Sequence, residues 1–193
     1  MNKPPLLPIC VLLLVVSSQC QDSQSRFDIF AGYMHLSYPV TDIYGSSWAR
    51  QGFDGGEASA AYRLGKYYAA EADFSGAIGP TMNNGNTPNE YTTSTRTYMA
   101  GPRFFTNFHR VGVFGHVLFG GLTFTRGFPG DSGTSFAFAL GGGVNLWATR
   151  HIGVRLVQFD YLRNTNSVAG EDADARSQPS TNYRVSTGIA VRF

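Results

Sequence analysis

Residues 183–193, YRVSTGIAVRF, alternate without a break. Tyr183, Val185, Thr187, Ile189, Val191 and Phe193 share one face of an extended chain, and Arg184, Ser186, Gly188, Ala190 and Arg192 share the other. Successive side chains of a strand point to opposite sides of the sheet, so this stretch reads as a strand with one apolar and one polar surface.

Seven earlier segments repeat the pattern. Residues 27–35 place Phe27, Ile29, Ala31 and Tyr33 against Asp28, Phe30, Gly32 and Met34. Residues 57–64 oppose Glu57, Ser59, Ala61 and Arg63 to Ala58, Ala60, Tyr62 and Leu64. A tight turn at Gly65-Lys66 leads to Tyr68, Ala70, Ala72 and Phe74, alternating with Ala69, Glu71, Asp73 and Ser75. Residues 93–104 put Thr97, Gly101 and Arg103 opposite Tyr98, Ala100 and Phe104; residues 111–121 put His116 opposite Val113, Val117 and Phe119. Residues 135–146 and 152–163 complete the set. In the latter Gln158 and Asp160 share a face, which leaves Arg155 on the apolar one. Either a β-bulge shifts the phase or Arg155 snorkels from a site near a turn.

The connections alternate in length. Short ones fall near Gly65-Lys66, 106–110 and 147–151; long ones, rich in Gly, Asn, Asp, Ser, Thr and Pro, fall at 37–54, 78–91, 122–134 and 164–182. Short periplasmic turns and long external loops mark an outer-membrane barrel. Aromatics gather toward both strand ends: Phe27, Tyr62, Tyr67, Tyr68, Phe104, Phe105, Trp147 and Phe193 at the turns, and Tyr33, Phe74, Phe119, Phe136, Phe159, Tyr161 and Tyr183 toward the loops. Two aromatic bands suit the two membrane interfaces. The expected fold is an all-β, closed, eight-stranded antiparallel up-and-down transmembrane barrel.

Composition agrees. The 193 residues include 15% charged side chains and 14% aromatics, with 23 glycines and a net charge of +2. The charged share is below the roughly 25% of soluble domains, and the scattered basic residues form no nucleic-acid footprint. The N-terminal segment holds Lys3, then an apolar run at 6–16 and small residues leading to a cut after Ser18 or Cys20. This is the pattern of a cleaved secretory signal over residues 1–20, leaving 21–193 as the barrel domain. The run falls short of the roughly 20 residues of a helical span. Lipidation at Cys20 is disfavoured by Gln19 before it, and Cys10 and Cys20 leave the mature chain no disulfide framework.

The last strand, together with FDIFAGYMHLSY, YAAEADFSG, MAGPRFF and FGHVLFGG, resembles the OmpA-like or OmpX-like outer-membrane β-barrel domain in its small stand-alone form. The resemblance covers nearly all of 27–193. It implies that Tyr183, Ile189, Val191 and Phe193 form the C-terminal signal read by the barrel-assembly machinery. It also implies outer-membrane placement and lipid contact. No peptidoglycan-binding domain is expected after the barrel.

The inward set holds Asp28, Glu57, Arg63, Glu71, Asp73, Arg103, His116, Asp160, Arg184 and Arg192. Charges of both signs in a narrow lumen should pair, and eight strands leave an interior that side chains just fill. A polar plug is therefore expected, in a monomeric protein of envelope-integrity or surface-interaction role without cofactor or metal. The alternatives are a narrow ion channel and a lipid-modifying enzyme. His116 is the candidate base for the latter, but no activated serine accompanies it. A soluble lipocalin-type barrel would need the reverse alternation. Gly141-Gly142-Gly143 lacks the Lys-Ser/Thr of a phosphate loop and suits a bend or close backbone approach. The acidic stretch 170–174 lacks EF-hand spacing, and His35, His109 and His151 look isolated. Trp48, Tyr44, Phe53 and Phe128 are the loop aromatics that could meet an external partner.

Overall fold

The computed structural model describes residues 26–41, 48–83, 90–125, 132–165 and 180–193. The signal segment 1–20, Tyr44, Phe128 and the acidic stretch 170–174 lie outside them. Eight strands follow in chain order: β1 (Phe27–Thr41), β2 (Trp48–Arg63), β3 (Tyr68–Asn83), β4 (Glu90–Phe108), β5 (Val111–Thr125), β6 (Ser132–Trp147), β7 (Ile152–Asn164) and β8 (Ser180–Arg192). Each pairs antiparallel with the next, and β8 returns to β1. Phe27 and Phe193 seal the seam by exchanging backbone hydrogen bonds of 3.1 and 2.9 Å. Closure leaves no strand edge, so the backbone donors and acceptors of the sheet satisfy one another.

The register fixes the shape. Paired residues run once around the barrel from Tyr68 through Phe104, Gly115, Gly142, Phe159, Val185, His35 and Asp54 to Ile78, ten positions along β3 from the start. With ordinary strand spacing and rise, eight strands and this stagger tilt the strands by about 41° and give a barrel radius of about 8 Å.

The alternation read from the sequence is the alternation of burial. Ile29, Phe74, Phe119, Phe136, Leu140, Val154, Phe159, Val185 and Ile189 are exposed on the outside, while their strand neighbours are buried or half-buried. Ile78 and Ile189 are 63% and 59% exposed, an arrangement that costs heavily in water and nothing against lipid.

Three expectations need correction. The strands outrun the apolar alternation: 37–41 and 48–54 pair in register as far as Thr41 with Trp48, so the long connections shrink to 42–47, 84–89, 126–131 and 165–179. Backbone pairing continues for as long as both neighbours supply partners, whatever the side chains. Phe53 is accordingly no loop residue but a fully buried one inside the barrel, and Trp48 opens β2. Similarly, residues 106–108 belong to β4, and the β4–β5 turn is only His109-Arg110.

In β7 the phase slip is a bulge. Register shifts between Arg155 and Gln158 against β8, and between Val144 and Asn145 against β6. Leu156 and Val157 both point outward, and Arg155, at 1% exposure, turns into the lumen. Thr187 Oγ1 donates to the Arg155 carbonyl at 2.9 Å and steadies the bulge. Arg155 does not snorkel.

His109 has φ of 56°, the left-handed conformation that a Cβ disfavours and glycine adopts freely. His109→Gly is expected to stabilise the barrel by about 0.5–1 kcal/mol, the relieved backbone strain outweighing the extra freedom of glycine in the unfolded chain. The urea midpoint of the protein refolded in lipid vesicles checks it; an unchanged or lower midpoint contradicts it.

Candidate functional site: the filled lumen

The narrow interior forces every inward side chain against its neighbours. At mid-height, Glu57 on β2, Glu71 and Asp73 on β3, Arg103 on β4, His116 on β5, Arg155 and Asp160 on β7 and Arg184 on β8 are all buried. Arg184 is the hub. Its Nε donates to Asp160 Oδ2 at 2.8 Å, and its Nη1 donates to Asp73 Oδ1 at 2.7 Å and to Ser75 Oγ at 3.1 Å. Gln158 Nε2 links Glu57 Oε1 at 2.8 Å to Asp160 Oδ2 at 2.7 Å, and Ser186 Oγ donates to Glu57 Oε2. His116 spans the lumen, with Nδ1 2.8 Å from Glu71 Oε2 and Nε2 2.9 Å from Asp160 Oδ1. Arg103 Nη1 donates to Glu71 Oε1 at 3.3 Å.

The charges of this layer balance. Four carboxylates (Glu57, Glu71, Asp73, Asp160) face three guanidinium groups (Arg103, Arg155, Arg184). A ring with a carboxylate oxygen at each nitrogen donates twice only as the imidazolium, which makes His116 the fourth positive charge. Arg155 donates through Nε to Asn145 Oδ1 at 3.1 Å and through Nη1 to Gln158 Oε1. Its guanidinium lies 3.8 Å from the Phe30 ring centre and 4.5 Å from that of Phe114, a cation–π sandwich. Gly141 makes room for the layer: a Cβ there would collide with the Asp160 carboxylate, which is the close approach expected of the glycine run.

Above this layer, toward the loop end, the lumen becomes apolar. Met34, Leu36, Tyr38, Phe53, Met99, Leu118, Leu122, Phe124 and Leu162 form one buried cluster. Tyr38 stacks on Phe124 with ring centres 5.4 Å apart, and Phe53 meets both edge-on. Toward the turn end, Arg63 pairs with Asp28 (Nη2 to Oδ2, 3.0 Å) and stacks over Phe105. Among the described residues Arg192 forms no ion pair, although Asp28 stands opposite it across β1 and β8. Its Nε donates to the Arg150 carbonyl at 2.7 Å, and its guanidinium lies 3.9 Å over the Trp147 ring. The network residues expected from sequence thus divide into a central layer (Glu57, Glu71, Asp73, Arg103, His116, Asp160, Arg184) and a turn-end group (Asp28, Arg63, Arg192). Sequence reasoning put Gln158 and Ser186 on the inward face without assigning them to the network, left Arg155 between a bulge and a snorkel, and missed the apolar cluster.

Trp147 and Phe105 also leave the expected aromatic band. Trp147 is buried inside and Phe105 is half-buried under Arg63. Strand parity marks both positions, since Trp147 sits in phase with Asn145 and Phe105 with Arg103. On the outside, His35 is not isolated: its Nδ1 is 2.7 Å from Asp54 Oδ1, which also accepts from Tyr33 Oη. Tyr183, Ile189 and Phe193 of the C-terminal motif are exposed outward, and Val191 is half-buried. Among the described residues no cluster of His, Cys, Asp and Glu is arranged to hold a metal.

Removing one partner from a buried ion pair leaves the others uncompensated, a loss of about 3–5 kcal/mol. Arg184→Met should therefore lower the unfolding free energy by about that amount, because Asp160 and Asp73 lose their shared cation. Arg50→Met, at an exposed position, should change it by less than about 1 kcal/mol. Urea titration followed by the heat-modifiable gel band distinguishes the two; equal effects would contradict the central role of Arg184.

No protein-family model matches the chain, and no curated protein sequence matches it. Solved structures do. The attachment invasion locus protein Ail of Yersinia pestis matches over 89% of this chain and 100% of its own, with 14% identity and a TM-score of 0.53. Neisserial surface protein A matches over 86% and 97%, with 13% identity and a TM-score of 0.61. The outer membrane protein OprG from Pseudomonas aeruginosa matches over 88% and 96%, with 11% identity and a TM-score of 0.56. At such identities the likeness rests on topology, and the chain has the closed eight-stranded fold of these small outer-membrane barrels, the OmpA/OmpX-like architecture suggested by its last strand.

Proposed function

We propose that this chain is exported by a cleaved signal, inserts into an outer membrane as a monomer, and serves there as a sealed scaffold for surface contacts and envelope integrity. The observation that carries the reading is the filled lumen. An ion travelling through it would have to part the Arg184–Asp160–His116 layer and then displace Leu118, Leu122 and Phe53, each with no measurable solvent exposure. Two barriers of opposite chemistry in series oppose both polar and apolar solutes. The exterior supports the membrane placement, with exposed Ile, Leu, Val and Phe around the barrel and no free strand edge. The C-terminal residues Tyr183, Ile189, Val191 and Phe193 would be read by the barrel-assembly machinery during insertion.

A scaffold reading places the task on the segments that join the strands at the loop end, because variable function concentrates on loops carried by a rigid frame. The printed names of two structural relatives, an attachment invasion locus protein and a surface protein, speak of surface contact for those proteins, and a similar class of task is proposed here. Catalysis by His116 is opposed by its surroundings, since both ring nitrogens already face carboxylates and neither faces a serine.

In planar lipid bilayers the purified protein is expected to show no conductance steps above baseline, and in membrane fractions a heat-modifiable band that resists salt extraction. Discrete conductance steps would overturn the sealed reading. Release by salt alone would overturn the membrane placement.

A further inference from the structure

The outer wall at the loop end carries a group of side chains that the filled lumen does not explain. On β1 the outward positions run Tyr33, His35, Ser37, and on β2 they run Arg50, Gly52, Asp54. The register sets His35 opposite Asp54 and Ser37 opposite Gly52. Asp54 Oδ1 stands 2.7 Å from His35 Nδ1 and also accepts from Tyr33 Oη. A carboxylate at Nδ1 keeps the ring proton there and leaves the lone pair on Nε2. Nε2 has no hydrogen-bond partner among the described residues.

Gly52 lets the ring lean toward the serine. A Cβ at Gly52 would stand 2.7 Å from His35 Cε1 and 3.3 Å from His35 Nε2, so the Nε2 edge of the imidazole lies over the glycine, level with Ser37. Residues directly opposed on one face of an antiparallel pair have Cβ positions about 5 Å apart. The imidazole edge and the Ser37 hydroxyl therefore border one small space. Their hydrogen bond is not closed in this structure, as is common at a catalytic pair before substrate is bound.

On the other side of the serine, Arg50 Nη1 donates to Ser37 Oγ at 3.4 Å. Arg50 Nη2 reaches across β1 to the Thr181 carbonyl at 3.1 Å, and the guanidinium lies 4.7 Å from the Tyr183 ring centre. A cation is thus pinned on the wall beside the hydroxyl. An exposed His–Asp pair alone would be an ordinary surface ion pair. An unpartnered Nε2 turned toward a serine, with a fixed arginine on that serine's far side, supplies base, nucleophile and oxyanion partner for acyl transfer.

The position in the wall selects the acyl group. The dyad's other cross-strand neighbours are exposed aliphatics, Val185 opposite His35 and Ile78 opposite Asp54. Ile29 and Ile189 continue that surface toward the turn end. On the loop side stand Arg50 and the exposed Arg163, which faces Thr181. The site therefore lies where the outer face changes from aliphatic to cationic. In a lipid the ester bonds occupy the same level, between acyl chains and an anionic headgroup.

We propose that Ser37, His35 and Asp54 form a hydrolytic site for an ester-linked acyl chain of a phosphate-bearing lipid. Ser37 Oγ attacks the ester carbonyl carbon while its proton passes to His35 Nε2, and Arg50 faces the oxyanion. The ester C–O bond breaks as His35 returns that proton to the leaving alcohol. Water then attacks the acyl-serine with His35 as base, and a fatty acid and free Ser37 result. Asp54 is the positioning residue for the ring. The inference rests on the membrane placement proposed above and is independent of the sealed lumen.

The protein refolded in dodecylphosphocholine micelles is mixed separately with dioleoyl phosphatidylglycerol and with lipopolysaccharide, and free fatty acid is measured by mass spectrometry. Release from one or both is expected, and the lipid cleaved identifies the source. Ser37→Ala and His35→Gln should lower the rate by about 100-fold or more. Asp54→Asn should lower kcat with KM little changed, and Arg50→Met should lower kcat by about tenfold or more. Lys66→Gln, at the opposite end of the barrel, should leave the rate unchanged. None of these side chains lies inside the lumen, so a retained heat-modifiable band reports intact folding. No fatty acid from either lipid, or a rate that survives Ser37→Ala, would overturn the proposal and leave a surface ion pair only. Failure of the membrane placement would appear separately, as release by salt.

Discussion

Closure of the backbone ladder is the constraint on which the rest depends. Once β8 is hydrogen-bonded to β1, strand number and stagger fix the bore, and no later adjustment can widen it. Everything inside must then fit a tube of about 8 Å radius measured to the backbone. The glycines facing inward, the absence of tryptophan from the middle of the lumen and the interlocked charges are consequences of that width. So is the bulge in β7, which spends two successive residues on the outer face and thereby delivers a third arginine to a layer that would otherwise hold four carboxylates and two guanidinium groups.

Charge balance and geometry support each other in this layer. Arg184 alone could not neutralise Asp73, Glu57 and Asp160. Gln158 and Ser186 share the load by donating to the same carboxylates without adding charge. His116 spans the gap between Glu71 and Asp160 with one nitrogen to each. The balance makes the layer rigid, because each side chain is held by partners from different strands.

The fold was legible because the bilayer imposes a simple rule. Where a strand crosses lipid, the outward face is apolar and the inward face is small or polar, and period two reveals both. That rule located Glu71, His116, Asp160 and Arg184. It failed where its physical basis lapses. Beyond the lipid, the outward residues become Arg50, Asp54 and His35 and the inward ones Tyr38, Phe53 and Phe124, so the pattern inverts and the strand ends look like loop. At Arg155 the slipped phase was legible and a bulge was one of its two readings, but only the register decides between them. It failed at Trp147 and Phe105 because aromatic identity was given more weight than phase. Which carboxylate meets which cation was beyond any sequence reading, since partners such as Gln158 and Glu57 lie about a hundred positions apart and meet only after closure.

The length of the strands has a further consequence. Crossing an apolar layer of about 25 Å at this tilt takes about ten residues, whereas the strands have 13 to 19. A 15-residue strand such as β1 reaches about 37 Å along the barrel axis. The surplus, about 12 Å, lies at the loop end, where the wall is polar outside and packed with aromatics within. The barrel thus carries a stiff collar above the lipid. The strand ends from which the connecting segments start are thereby held at a fixed height beyond the part of the wall that suits lipid.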